Sequence, residues 1–221
     1  MYIKTHMSSP VITISPTTLV PEAREILKKH HFRHLPVTDS NGILKGIVTD
    51  RDIRSAYPSM VLNEAERKEA MLMISKTTVS EIMSKDVQTL APYDTIDDGL
   101  LLLDKLRVGA LPVVDKNKKV LGLFSIRDLI AAYRKIFGIG AKGSALVGIS
   151  SEQEPKIMAN IVQILEDHGI PVTRICMADG NNDRENRRIY IRVQTFNVQK
   201  VRRLLTEFGF NVLEPPQEWD E

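Results

Sequence analysis

Hydrophobic and polar positions along residues 7–54 follow a pattern that returns at residues 83–130. In each copy a short apolar run ends just before a proline, and apolar residues at helical spacing then predict a helix. Two further apolar runs follow, and the second leads into another helix. Each copy is therefore predicted to fold as a β-α-β-β-α unit.

The two copies align without a gap, and 15 of the 48 aligned pairs are identical. A single offset held over the whole span indicates two copies of one folding unit. A sheet of so few strands leaves one apolar face uncovered, and two such units can bury these faces against each other. We therefore expect the repeats to pack as a pseudo-twofold pair.

The segments outside the repeat have other patterns. Asn63-Glu64-Ala65-Glu66 resembles a capping box and predicts a connector helix. After a glycine-punctuated segment, elements in the order β-α-β-β-α-β predict a ferredoxin-like unit, so the fold class is α+β. The predicted boundaries are 1–62 for the first repeat, 63–78 for the connector, 79–137 for the second repeat, 138–144 for a linker, 145–214 for the ferredoxin-like domain and 215–221 for an acidic tail.

Composition narrows the class of protein. The 30 basic and 28 acidic residues nearly balance, whereas a nucleic-acid binder is normally much more basic. The single cysteine, Cys176, excludes an intramolecular disulfide and suits a reducing compartment. No apolar run reaches the ~18 residues of a membrane span, and the first residues do not resemble a signal peptide. We expect a cytoplasmic protein with neither a nucleic-acid nor a membrane partner.

Two polar pairs, Thr49-x-x-Asp52 and Ser125-x-x-Asp128, recur where a predicted strand enters a helix. One interpretation is structural, because a hydroxyl followed three residues later by an acid has the shape of a capping box. The other is functional, because a hydroxyl at a helix start can hold a phosphate and the carboxylate can accept ribose hydroxyls. The two interpretations are compatible.

Neither a metal site nor a catalytic group is expected. His30, His31 and His34 invite a metal hypothesis, but histidines near a helix end also complement the helix dipole. No cysteine or nearby carboxylate completes a ligand set of defined geometry. Cys176 lies in a predicted strand and is followed by no histidine that would activate it.

The repeated segments Met-Ser-x-x-Val-x-Thr, Leu-Pro-Val-x-Asp and Gly-Ile-Val-Thr-Asp-Arg-Asp resemble CBS domains, and the pair resembles a Bateman module. The resemblance covers residues 7–135. It implies that an adenine nucleotide or related adenosyl compound binds in clefts between the repeats, with phosphate and ribose at the two Thr/Ser-x-x-Asp pairs. Basic residues five or six positions before the Pro would add phosphate contacts, which selects His30 and His31 in one copy and Arg107 in the other. The nucleotide-binding residues so implied are Thr13, His31, Arg33, His34, Pro36, Thr49, Arg51, Asp52, Thr89, Arg107, Ala110, Pro112, Ser125, Arg127 and Asp128.

Residues 145–213 resemble an ACT domain in the order of their elements. ACT sites usually carry a glycine in the loop before the first helix, and the loop Ser150–Lys156 has none. The combination of a CBS pair and an ACT-like unit resembles the acetoin-utilisation AcuB group, whose members are suspected regulators.

Three hypotheses follow for function. The first is a non-catalytic regulatory protein that senses AMP, ATP or S-adenosylmethionine, needs no cofactor, forms a homodimer and acts on a partner enzyme. The second is a dimerising structural or interaction module whose pockets are vestigial. The third is a nucleotide-hydrolysing enzyme, which needs a general base or metal cluster that the sequence does not show.

Overall fold

The computed structural model describes residues 1–58, 61, 63–151, 156–179 and 187–214. Contacts between Cα atoms divide the chain into two compact units, Met1–Ala132 and Tyr133–Glu221. The division falls within a helix and precedes the predicted linker at 138–144. The predicted tail, 215–221, lies outside the described residues.

The first unit contains both copies of the repeat. Its helices and strands are α1 (Val20–His30), β1 (His34–Thr38), β2 (Leu44–Thr49), α2 (Asp50–Ala56), α3 (Glu64–Ile74), α4 (Val79–Ile82), α5 (Ile96–Leu106), β3 (Ala110–Val114), β4 (Val120–Ser125) and α6 (Ile126–Phe137), whose last residues belong to the second unit. A 3-10 helix, Ile3–Thr5, precedes them. β1 pairs with β2 and β3 with β4, both antiparallel. The connector predicted at 63–78 contains α3, and the Asn63 side chain caps it.

The prediction of a full strand at the start of each repeat is wrong. Ile14 and Leu90 each form a single parallel bridge, to Val37 and Val113, where strands were predicted. Ile14 donates to the Pro36 carbonyl (3.1 Å) and accepts from Thr38 (2.9 Å). The next ladder bonds in either direction would need N–H groups from Pro16 and Pro36, which proline lacks. Pro92 and Pro112 stop the second copy in the same way, so each predicted β-α-β-β-α unit lacks a full first strand.

The prolines of β1 and β3 lie in the third position of these strands. A residue of an antiparallel strand points its N–H and C=O toward one neighbour only. The carbonyl of Pro36 accepts from Ile14, so its polar groups face away from β2 and the β1–β2 ladder loses no bond. Pro112 does the same toward Leu90. Proline is therefore compatible with a buried strand at these two places.

The segment that leads into each copy, residues 8–12 in the first and 84–88 in the second, is here called its lead-in, and it pairs with the other copy. Ser8 bridges Leu123 in β4, and Ser84, its counterpart 76 residues later, bridges Ile47 in β2. Ile43 bridges Lys119, which is its own counterpart in the second copy. This bridge therefore marks the pseudo-twofold axis. The exchange also carries Val79 into the apolar core of the first copy.

Two glycines make this exchange possible. A Cβ on Gly46 would lie 2.6 Å from the Ser84 carbonyl oxygen, and a Cβ on Gly122 would lie 2.8 Å from that of Ser8. Real Cβ atoms essentially never approach backbone oxygen so closely. The glycine that opens each Gly-x-x-Thr/Ser-x-x-Asp segment is therefore needed where the other copy's lead-in crosses it.

The second unit has the predicted element order. It consists of β5 (Ser144–Ser151), α7 (Ile157–Asp167), β6 (Val172–Ala178), β7 (Arg187–Gln194), α8 (Val198–Glu207) and β8 (Asn211–Val212). The antiparallel sheet has the strand order β6-β7-β5-β8, and its core combines inward residues of β5 and β7 with those of both helices. This is a ferredoxin-like topology. Among the described helices, none is long and apolar enough to cross a membrane.

We expect Gly46→Ala to lower the free energy of unfolding of the first unit by about 1–3 kcal/mol, because the new methyl group meets the Ser84 backbone oxygen, which cannot move aside as the neighbouring Met83 side chain can. Denaturation followed by circular dichroism measures this. Gly148→Ala in β5 is the matched control, since its nearest neighbour is the tip of the Leu213 side chain at 3.1 Å. Equal losses in the two variants would contradict the role of the crossing.

Candidate functional site

The two Thr/Ser-x-x-Asp segments adopt the same geometry at the ends of β2 and β4. The Thr49 N–H and hydroxyl both donate to Asp52 Oδ2, at 2.8 and 2.7 Å, and the Asp52 N–H donates back to Thr49 Oγ1 at 3.2 Å. Ser125 and Asp128 repeat this arrangement at 2.8, 2.6 and 3.3 Å. Both segments are therefore capping boxes, as the structural interpretation predicts. The cap uses only one oxygen of each carboxylate.

A cavity of about 510 Å³ lies at the first of these junctions, between the two copies. The first copy contributes the end of β2 and the start of α2, together with the start of β1. The second copy contributes its lead-in and the turn between α5 and β3. The cavity is lined by Arg33, His34, Ile47, Thr49, Asp50, Arg51, Asp52, Ser84, Asp86, Val87, Gln88, Leu106, Arg107, Val108, Gly109, Ala110 and Leu111.

Charges in this cavity balance. Three guanidinium groups line it (Arg33, Arg51, Arg107), and so do three carboxylates (Asp50, Asp52, Asp86). The wall therefore offers both donors for an anionic group and acceptors for hydroxyl groups.

His34 is half-buried and lines the cavity. Burial lowers the pKa of its imidazole below the ordinary value of 6.5, and the neighbouring Arg33 lowers it further. The carboxylates of Asp50 and Asp52 oppose this shift. The position that a Cβ of Gly109 would take lies 3.0 Å from the ring, so the glycine lets the second copy approach it. A neutral imidazole can both donate and accept a hydrogen bond.

Arg107 reaches the cavity from a left-handed backbone conformation. It ends α5 with φ 53° and ψ 40°, and its counterpart His31 ends α1 with φ 54° and ψ 35°. Glycine is the usual residue at such a helix end, since a side chain there is strained. A charged residue in a strained position beside a cavity points to a ligand contact.

The structure brings together about half of the residues implied by the resemblance. Seven line the cavity: Arg33, His34, Thr49, Arg51, Asp52, Arg107 and Ala110. Ser125, Arg127, Asp128 and His31 correspond in the repeat to Thr49, Arg51, Asp52 and Arg107, and they mark the equivalent second position. Pro36 and Pro112 lie buried in β1 and β3, where their carbonyls hold the isolated bridges. Thr13 and Thr89 immediately precede those bridges and do not line the cavity.

The cavity residues that come from the lead-in of the second copy were not identified from the sequence. Ser84, Asp86 and Gln88 line the cavity beside Asp52, although they lie more than thirty residues further along the chain. The repeat gave their register but not their location, because the exchange of lead-in segments becomes apparent only in three dimensions. Over the described parts of the chain, no group of three or more His, Cys, Asp or Glu is arranged to hold a metal ion.

Comparison with known proteins identifies relatives of the first unit. The family model described as the CBS domain matches residues 3–59 and 79–135, which is about half of the chain. The chain is 33% identical to the CBS domain-containing protein YhcV of Bacillus subtilis over 150 residues, which cover 68% of this chain and 96% of that protein.

Solved structures share the same architecture. A CBS domain pair in complex with 5′-methylthioadenosine and S-adenosyl-L-methionine superposes with a TM-score of 0.51 at 29% identity, covering 62% of this chain and 98% of the other. An acetoin utilization protein (AcuB) from Vibrio cholerae superposes with a TM-score of 0.53 at 24% identity, covering 63% and 94%. At that identity the second likeness concerns the fold alone.

The lowered pKa of His34 predicts a dependence of stability on pH. Below pH 6.5 the unfolded chain takes up a proton that the folded protein resists, so stability falls as the pH drops through this value. When the pH is lowered from about 7.5 to about 5.5, we expect the melting temperature of His34→Gln to fall less than that of the wild type. His30→Gln, at the exposed end of α1, should behave as the wild type. An unchanged slope in His34→Gln would contradict this prediction.

Proposed function

The chain belongs to the CBS-domain family, and from that premise we propose that it is a non-catalytic regulatory protein that binds an adenine nucleotide or adenosyl ligand between its two repeats. AMP, ATP and S-adenosylmethionine are the candidate ligands, and no further cofactor is required. The observation that carries the proposal is the cavity in which Thr49 and Asp52 of one copy face Arg107 of the other. The related CBS pair that holds two adenosyl compounds supports the ligand class.

The proposed binding mode assigns a role to each wall. Asp52 Oδ2 completes the helix cap, and the hydrogen bonds that the described residues donate to this carboxylate all go to Oδ2. Oδ1 would accept from the ribose hydroxyls, which are neutral donors to a charged acceptor. Arg107 and Thr49 would contact the phosphate or the equivalent polar group. Gly109, Ala110 and Val87 would face the adenine ring.

We further propose that the second unit is an ACT domain and that the chain forms a homodimer in the cytoplasm. The ferredoxin-like order of its strands supports the ACT assignment. A ligand in the cleft would shift a conformational equilibrium only by its differential affinity for the two states, and the change would pass to the ACT domain or to a partner enzyme. Acetoin utilisation enters this proposal only as the label of the AcuB group that the chain resembles, since the likeness to the AcuB structure concerns the fold alone.

Asp52→Asn tests the nucleotide site. The amide oxygen can still accept the cap bonds from Thr49, but the second oxygen becomes an NH₂ group that cannot accept from ribose. We expect calorimetry with AMP, ATP and S-adenosylmethionine to show at least one ligand that binds wild type, with roughly tenfold or greater loss in the variant. Its melting temperature should change little. Binding of no ligand to the wild type would refute the nucleotide-sensing function.

Arg107→Gly separates affinity from stability. Glycine accepts the left-handed conformation without strain, so the fold should not lose stability, while the phosphate contact disappears. We expect the variant to lose its preference for AMP over adenosine in calorimetric titrations. Lys118→Gly is the matched control, because Lys118 is also cationic with a positive φ of 60° but does not line the cavity. A retained AMP preference in Arg107→Gly would contradict the assigned role.

A dimerising module is the second candidate, and one observation favours it. Leu101 and Ile130 in the second copy are 64% and 54% exposed, whereas their counterparts in the first copy are Glu25 and Arg54. The fold therefore does not need apolar side chains at these helix positions, and an apolar surface at them is typical of an interface.

Leu101→Glu and Ile130→Arg, which install the residues of the first copy, test this surface. We expect light scattering to show a homodimer in the wild type and monomers in the double variant, with the melting temperature nearly unchanged, since burying apolar area drives such association. A dimer that persists in the variant would place the interface elsewhere. A wild-type dimer that binds none of the three ligands would favour the structural module over the sensor.

A further inference from the structure

The capping carboxylates of the two copies differ in their hydrogen bonds. The hydroxyl of Ser8 donates to Asp128 Oδ1 at 3.0 Å. Ser84 is the counterpart of Ser8. Among the residues that the structure describes, however, no hydrogen bond joins Ser84 to Asp52. Asp52 Oδ1 can therefore accept hydrogen bonds from a ligand. At the second position the protein itself therefore occupies the oxygen that is open at the first.

Ser9 explains why the serine is held at one position only. Both lead-ins pair equally with the opposite strand, Ser8 with Leu123 at 2.9 and 3.1 Å and Ser84 with Ile47 at 3.0 Å in both directions. In the first lead-in the Ser9 hydroxyl also donates to the Leu121 carbonyl at 3.0 Å. Lys85 stands at this place in the second lead-in and has no hydroxyl. The extra bond fixes the chain next to Ser8 along β4.

The residues beside the two carboxylates differ in the same direction. Arg107 lines the cavity of the first position, and the pseudo-twofold axis relates it to His31 at the second. A guanidinium is charged at every accessible pH and can bind a phosphate with two donors, whereas an imidazole offers less charge and fewer donors. The second position thus has a blocked acceptor and a weaker anion-binding group.

Given the proposed function, we infer that Ser8 masks the Ser125/Asp128 position, so that each chain takes one nucleotide, at Thr49/Asp52. Ser8 determines occupancy by competing with the ribose hydroxyls for Asp128 Oδ1. A ligand at the second position must displace this hydroxyl, which weakens its binding by roughly tenfold. Ser9 acts through Ser8 and is a positioning residue.

Calorimetric titration of the full chain with AMP tests the inference. We expect one site per chain in the wild type, loss of this site in Asp52→Asn, and no change in Asp128→Asn. Ser8→Ala should reveal a second site or tighten a weak one by roughly tenfold, because the carboxylate oxygen becomes available. Ser84→Ala, the symmetry-related substitution, should create no additional site, because among the described residues the Ser84 hydroxyl makes no hydrogen bond to Asp52 that the substitution could release.

Ser9→Ala provides a second variant that leaves the Ser8 hydroxyl in place, and we expect a smaller gain at the second site. Melting temperatures close to that of the wild type would show that the variants fold. Two equal sites in the wild type, or loss of binding in Asp128→Asn with retention in Asp52→Asn, would overturn the masking while leaving nucleotide binding intact. No binding of AMP, ATP or S-adenosylmethionine to the wild type would overturn both.

Discussion

The close approach of two backbones at Gly46 and Gly122 is the constraint on which the first unit depends. Each glycine lets the lead-in of the opposite copy pair with its strand, at distances that exclude a side chain. The crossing ties the two repeats together through backbone hydrogen bonds, and it also sets Ser84 beside Asp52 and Ser8 beside Asp128. The same glycines therefore help to hold the repeat pair together and to bring the residues of its cleft into place.

The capping carboxylates connect local structure with binding. One oxygen of Asp52 closes the start of α2 through short bonds from Thr49, which fixes the orientation of the carboxylate. The orientation of the other oxygen is thereby fixed as well, and no further residue is needed to hold it. A group held in place by the fold loses little entropy when a ligand binds. Capping and the proposed ligand binding would thus be two uses of one side chain rather than competing explanations.

The internal repeat contains two positions with the same backbone conformation but different side chains. The left-handed helix ends at His31 and Arg107 are nearly identical in φ and ψ, yet one carries an imidazole and the other a guanidinium. Two exposed helix positions differ as well, since Leu101 and Ile130 stand where the first copy has Glu25 and Arg54. A pseudo-symmetric fold can in this way assign ligand binding to one copy and association to the other.

The sequence by itself determined the repeat, its register, the order of nearly all helices and strands and the Thr/Ser-x-x-Asp caps, because these depend on local periodicity and on contacts within a few residues. The prolines at 16, 36, 92 and 112 also carried the signal that the first strand of each copy would stop at one bridge, but its effect depends on which partner each N–H would face. Tertiary structure alone decided that Ser84, Asp86 and Gln88 join Asp52 in one cavity, since segments distant in sequence meet there through the exchange of lead-ins. It also decided that the Ser8 hydroxyl bonds to Asp128 and the Ser9 hydroxyl to the Leu121 carbonyl, contacts between distant segments that no local pattern encodes.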